Sequence, residues 1–316
     1  MGRPRDAAST APFSPKWIQF KAKALELYGN EKHAVPLSGP HPSPGSGRLG
    51  LGSIRTAAAP TLRAGTYLGF ATAGGQIVGY EALLRWAHPT RGSIPPETFV
   101  PIAEDVGAIR PIGERMLREA CAAAMQWPEY NAVAVNVSAV QFQLPNLAAI
   151  VEDALLTSGL SASRLELEVT ESVMLRDRGS ALATLHRLKA LGVRIVMDDF
   201  GTGYSSLSNL QAFPFDKIKI DRSFASHVTD DESARSIIRA IVGLGRSLDL
   251  PVVAEGVETE AHRLMVLEDG CPQKQGFLFG GPAEAVVGIP GLFRVVAGGG
   301  CGVSSPKRNG RVARPA

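Results

Sequence analysis

The chain of 316 residues is poor in aromatics, at 6%, and holds only three cysteines. Cys121, Cys271 and Cys301 are far apart, odd in number and never paired as Cys-x-x-Cys. That pattern speaks against a disulfide framework and a structural zinc site, and it fits a reducing compartment. Charge of either sign has little excess. Thirty-three Lys and Arg face thirty Asp and Glu, for a net charge of +3. Much of the basic excess sits near the two ends, so no polymer-binding basic face for nucleic acid is expected. Long apolar runs are lacking as well. No apolar core follows Met1-Gly-Arg-Pro-Arg-Asp6, and the most apolar stretch, Ala285 to Val303, is broken by Pro290, Arg294 and several glycines. Neither a secretory signal nor a membrane span is expected, and the cytoplasm is the expected location. Histidines do not cluster at zinc spacing. His88, before Pro89, reads as a loop residue and His186 as helix surface. The Gly-rich run Gly45 to Gly52 lacks the Gly-Lys-Ser/Thr ending of a phosphate-binding loop.

What is present is 45% hydrophobic content, ample for one large barrel or two ordinary domains. Residues 1–60 differ from the rest. Trp17 to Tyr28 has the spacing of one amphipathic helix, and Pro36 to Gly52 reads as linker. From Gly75 the chain alternates regularly. Strands are expected at Gln76–Trp86, Val133–Ser138, Arg164–Thr170, Val193–Met197, Lys217–Ile220, Pro251–Ala254 and Gly276–Phe279. Helices are expected at Pro96–Gly107, Pro111–Trp127, Leu147–Ser158, Gly179–Ala190, Ser233–Leu248 and Glu258–Leu267. Such alternation implies a parallel sheet with crossover helices, and about eight strands of this kind close into a TIM-like (β/α)8 barrel. A doubly wound open sheet is the competing architecture. Its Gly-x-Gly-x-x-Gly fingerprint after the first strand is missing.

Polar residues collect at or near the strand ends. Glu81 lies in the first confident strand, Asn136 in the next and Glu168 in the third, followed by Glu171. Asp198 and Asp199 end the fourth, Lys219 and Asp221 the fifth and Glu255 the sixth, and Gln275 opens the last. In a barrel these residues share the rim where active sites of the fold sit. A single strand carboxylate is usually a satisfied structural group. Seven strands delivering carboxylates, amides or an ammonium to one rim point to chemistry. Adjacent carboxylates repel, and carboxylate with amide oxygen suits a hard divalent cation such as magnesium or manganese. Residue types alone reach a metal-dependent hydrolase or lyase and leave the substrate open.

Tyr80-Glu81-Ala82-Leu83-Leu84-Arg85-Trp86 resembles the signature of the EAL domain, the bacterial cyclic-di-GMP phosphodiesterase family. Asn136-Val-Ser138, Glu168-Val-Thr-Glu171, Asp198 to Leu207, Lys219-Ile-Asp-Arg222, Ala254-Glu-Gly-Val-Glu258 and Gln275-Gly-Phe277 match its further motifs in order. The resemblance runs from about Gly75 to Pro282. It implies an EAL-type barrel that hydrolyses cyclic di-GMP to linear pGpG with two magnesium or manganese ions. By motif position, Glu81, Asn136, Glu168 and Asp198 hold one metal, and Asp198 bridges to a second held by Asp199. Glu255 assists the second centre, and Lys219 contacts the nucleophilic water. Leu84, Arg85 and Gln275 meet the substrate, with Asp221 beside them. Glu171 anchors the loop Phe200 to Leu207. A homodimer is expected as well, and any regulation is expected to come through dimerisation, a regulatory protein partner or the N-terminal segment.

The chain departs from that pattern at its start. Thr66-Tyr67-Leu68 stands where the family carries Tyr-Gln-Pro, so the first barrel strand is expected to be divergent or incomplete. The expected division is an N-terminal segment over 1–60, a barrel over 61–290 and a flexible tail over 291–316. The alternative function is a non-catalytic cyclic-di-GMP receptor or interaction module. Every proposed metal ligand is retained, which favours the enzyme.

Overall fold

The fold is set by strands that present alternate side chains to a barrel interior and to an outer layer of helices. A computed structural model describes residues 61–71, 74–88, 92–202 and 207–282. In order these form β1 (Thr61–Ala71), β2 (Ile77–His88), β3 (Gly92–Ile94), α1 (Pro96–Asp105), α2 (Ile109–Ala124), β4 (Ala132–Asn136), α3 (Ala139–Phe142) and α4 (Leu147–Ser158). They continue with β5 (Leu165–Thr170), α5 (Ser172–Arg176), α6 (Arg178–Ala190), β6 (Arg194–Phe200), α7 (Leu207–Ala212), β7 (Lys217–Ile220) and α8 (Arg222–Ala225). The last are α9 (Glu232–Ser247), β8 (Val252–Ala254), α10 (Glu260–Glu268) and β9 (Gln273–Gln275).

The strands β1-β2-β4-β5-β6-β7-β8-β9 close into a ring through β1, and β3 lies outside it against β2. From β2 to β9 the ring neighbours run parallel. β1 is antiparallel to both of its neighbours. The molecule is thus a TIM-like barrel with one reversed strand. The first strand is divergent in sequence but present. It pairs with β2 from Thr61↔Ala87 down to Ala71↔Ile77, with a bulge between Ala64 and Thr66.

The Leu-Glu-Leu-Glu-Val-Thr run of β5 shows why these residues form a barrel wall. Leu165, Leu167 and Val169 are buried under the helices, while Glu166 and Glu168 occupy the opposite face. β7 repeats the arrangement, with Ile218 and Ile220 fully buried outside and Lys217 and Lys219 inside. On the helix side, α2 presents Ile112, Met116, Leu117, Ala120, Cys121 and Ala124 as one buried stripe. The main core cluster among the described residues runs through the helical layer from α2 to α10, and a separate one gathers Trp86, Phe99, Ile102, Ile109 and Ile112 around α1.

The floor of the barrel, at the start of the parallel strands, is polar too. Lys217 Nζ donates to both Glu166 oxygens at 2.8 and 2.6 Å. Its ammonium also lies 4.8 Å from the centre of the Phe70 ring. Phe70 occupies the space over Gly79, where a Cβ would lie 2.2 Å from the ring. Below this pair a cavity of about 390 Å³ opens beside Arg194 and Gln273.

Several expectations shift. The last strand is Gln273–Gln275, so Gln275 closes it, and Phe277–Phe279 forms a short 3-10 turn. In the apolar Phe-Leu-Phe run, Phe277 is exposed while Leu278 and Phe279 pack against the core, and the Leu278 N–H donates to the Val257 carbonyl. β6 continues to Phe200, so Asp198 and Asp199 lie inside the strand and do not follow it. His88 is the last residue of β2, half-buried with its ring against Trp86. His186 is exposed on α6. The expected helix at Trp17–Tyr28 and the linker after it lie outside the described residues. No helix among the described residues is long and apolar enough to cross a membrane.

Candidate active site

At the upper rim the strand ends deliver four carboxylates around one lysine, with Asp199 beside them. Lys219 Nζ lies 2.5 Å from Glu255, 2.8 Å from Glu168, and 3.4 Å from both Glu81 and Asp198. An ammonium has three protons, so it cannot serve four carboxylates equally. Glu168 Oε2 and Asp198 Oδ1 are buried with no hydrogen-bond partner. Asp198, Asp199 and Glu255 each place an oxygen within 4.8 Å of the others. Asp199 reaches this group through a left-handed backbone, at φ +53°.

Glu81 is held from two sides by amides. Asn136 Nδ2 donates to Glu81 Oε1 at 2.6 Å, and Gln275 Nε2 donates to Glu81 Oε2 at 2.5 Å. Gln275 Oε1 is buried without a hydrogen-bond partner. Burial pushes the Glu81 carboxyl up, but Lys219 and the two amides outweigh it, so it is held below the usual carboxylate range. Burial, with the Glu81 charge added, raises Glu168 well above that range. Burial likewise raises Asp198, raises Asp199 to about 6 and raises Glu255 to about 8. Lys219 is itself held well above its ordinary value because four carboxylates outweigh its burial. A crowd of carboxylates pushed towards protonation, with orphaned oxygens, is a donor set that fits divalent cations. The amide oxygen of Asn136 and the carboxylates of Glu81, Glu168, Asp198, Asp199 and Glu255 are the groups able to hold them.

The residues expected to meet substrate lie around this group. Leu84 is half-buried and, with Asn136 and Glu168, lines a largely apolar pocket of about 600 Å³ between the rim and α1–α2. Arg85 is half-buried, and its Nη1 donates to the Leu84 carbonyl at 3.1 Å. Burial lowers its guanidinium pKa. Asp221 caps α8, accepting from the Ser223 N–H at 3.0 Å. Its charge is one of those that raise Asp199. Glu171 precedes α5 and is half-buried. Residues 203–206 of the loop it is expected to anchor lie outside the described residues. Sequence reasoning did not single out Gln141, a buried amide lining the same pocket. Its signal was the Ser138-x-x-Gln141 capping pattern directly after Asn136.

A barrel rim that gathers carboxylates, an amide and a lysine is a donor set of the kind found at oxygen-rich divalent-cation sites. The EAL domain family description matches residues 70–282, and the chain belongs to that family. It is 48% identical over 216 residues to the bifunctional diguanylate cyclase/cyclic di-GMP phosphodiesterase MucR of Pseudomonas aeruginosa, covering 67% of this chain and 31% of MucR. The fold is similar to the PaMucR phosphodiesterase solved in complex with c-di-GMP. That match has a TM-score of 0.67 and 45% identity, over 72% of this chain and 92% of that one. It is also similar to Klebsiella pneumoniae BlrP1 solved with manganese and cyclic di-GMP, at TM-score 0.62 and 29% identity, over 73% of this chain and 60% of that one. The chain spans about three-tenths of the length of the curated relatives it matches.

Proposed function

We propose that this chain hydrolyses cyclic di-GMP to linear pGpG with two magnesium or manganese ions. The observation that carries the reading is the gathering of Glu81, Glu168, Asp198 and Glu255 around Lys219, with Asp199 beside Asp198 and Glu255 and with Glu168 Oε2 buried without a hydrogen-bond partner. The PaMucR and BlrP1 complexes support the substrate class and the use of a divalent ion. Glu81, Asn136, Glu168 and Asp198 would hold one ion, and Asp198 with Asp199 the second, assisted by Glu255. Bound there, the ions would supply a nucleophilic water at neutral pH and stabilise the leaving oxygen.

The chain's own groups do the rest. Water adds to phosphorus, one phosphodiester P–O bond breaks, and the water's proton passes to the released ribose oxygen, leaving pGpG with a free ribose hydroxyl and a terminal phosphate. Lys219 orients the water and offsets the charge that grows on the phosphoryl oxygens. Arg85 offers a two-pronged donor to a phosphate once it leaves the Leu84 carbonyl. Leu84, Gln275 and Asp221 complete the substrate contacts, and Glu171 anchors the loop through residue 207. The receptor alternative rests on the altered first strand, and the pairing of β1 with β2 from Thr61 to Ala71, interrupted by two register shifts, supports the enzyme reading over it. We further place the activity in the cytoplasm, in a homodimer open to a regulatory partner, with the barrel over 61–290 between flanking segments 1–60 and 291–316.

Substitution of the ligands tests the assignment. Glu81→Ala and Glu255→Ala are each expected to abolish pGpG formation in folded protein, measured by chromatography. A Glu81→Ala protein that still turns over would contradict the ligand set.

A further inference from the structure

We infer that Gln141, seated on Gly113, is a positioning residue for Asn136. The inference rests on the metal-binding reading of Asn136 given above. Asn136 is exposed at the rim, and its side chain is held by the hydrogen bond it donates to Glu81. The position of its backbone is set by the turn that follows it. Val137 is buried there, and its N–H donates to the Glu168 carbonyl at 2.9 Å. Ser138 then caps α3 in a reciprocal pair. Gln141 Oε1 accepts from the Ser138 N–H at 3.2 Å, and Ser138 Oγ accepts from the Gln141 N–H at 3.4 Å.

The Gln141 side chain is buried and lies against α2. A Cβ at Gly113 would sit 1.7 Å from Gln141 Nε2 and 2.7 Å from its Cδ. Glycine within an exposed helix costs about 1 kcal/mol against alanine, so its use inside α2 is explained by what it admits. Here it admits the amide. Gln141 therefore ties the backbone just past Asn136 to a helix of the outer layer, in the wall of the pocket that Asn136 and Glu168 also line. Groups that orient a metal's ligands affect its affinity even though they never touch it.

The test measures Mn2+ binding to the full chain by titration calorimetry, without nucleotide, for wild type, Gly113→Ala, Gln141→Ala and the double variant. Each single substitution is expected to weaken Mn2+ binding about tenfold. The double variant is expected to match Gln141→Ala alone, because both changes act through one contact. Thermal unfolding of the metal-free proteins, run alongside, reports folding separately. Unchanged affinity in Gln141→Ala, or effects that add in the double variant, would overturn the inference while wild type still binds Mn2+. A wild type that binds no Mn2+ would overturn the metal reading itself, and this inference with it.

Discussion

Asp198 and Asp199 are neighbours on β6, yet each brings a carboxylate oxygen within 4.8 Å of Glu255. Successive strand residues face opposite sides, so a regular strand would send one of them away. Two features break the alternation. Asp199 has φ +53°, and β6 carries an extra residue against β7 between Met197 and Phe200. Asp tolerates the left-handed region better than most residues, which makes the doublet workable at a bulge. Asn tolerates it too. Asp199→Asn is therefore expected to fold normally but to bind one Mn2+ per chain where wild type binds two, and to lose turnover on the order of 100-fold. Titration calorimetry gives the stoichiometry and pGpG chromatography the rate.

Lys219 is the cation that the carboxylates share in the metal-free protein. Removing one partner of a buried charge cluster leaves the rest uncompensated. Lys219→Met is expected to destabilise the metal-free protein by about 3 kcal/mol near neutral pH. Saturating Mn2+ is expected to return a large part of that, since ligands that bind only the folded state stabilise it. Denaturant unfolding with and without Mn2+ measures both.

Stability of the metal-free protein has a pH dependence of definite sign. Burial raises Glu255 to about 8 and Asp199 to about 6, above their ordinary values of 4.5 and 3.8. Glu168 and Asp198 shift in the same direction. Over that window the folded chain keeps protons that the unfolded chain has released, so stability falls as pH rises from about 4.5 towards 8. Glu81 shifts down and acts only below its ordinary value. Metal binding needs deprotonated ligands, so saturating Mn2+ is expected to release protons and remove the fall. Unfolding midpoints at about pH 5 and about pH 8, with and without Mn2+, check the sign.

The floor pair Glu166–Lys217 is a structural matter separate from the rim. Glu166→Ala leaves a buried ammonium and is expected to cost about 3 kcal/mol. Glu166→Leu combined with Lys217→Met removes both charges and is expected to recover most of that loss. Turnover per folded molecule stays near wild type in the double variant. Denaturant unfolding and active-site-normalised rates measure the two halves of this expectation.

Alternation carried most of the fold into view from the sequence. Leu165–Thr170 and Lys217–Ile220 read as strands because their apolar residues recur every second position. The rim followed from the same reading, since Glu168 and Lys219 fall on the inner face. Elements with inverted polarity were harder. β9 is Gln-Lys-Gln, polar inside the barrel, so the apolar Phe277–Phe279 beside it drew the strand assignment. The reversed β1 was obscured because its match to the family weakens at Thr66-Tyr67-Leu68, while strand pairing depends on backbone that any of these residues supplies. The Gln141–Gly113 contact joins positions 28 residues apart through shape alone, and no local pattern announces it. Glu166 and Lys217 were equally silent, because a charged residue in an alternating strand looks the same whether its face is solvent or barrel interior.

The most direct test incubates the purified full chain with cyclic di-GMP and Mn2+ or Mg2+, follows pGpG by chromatography, and runs a metal-free control beside it. The account predicts pGpG formation that requires the added ion. A folded protein that binds cyclic di-GMP with Mn2+ present and forms no pGpG would contradict it.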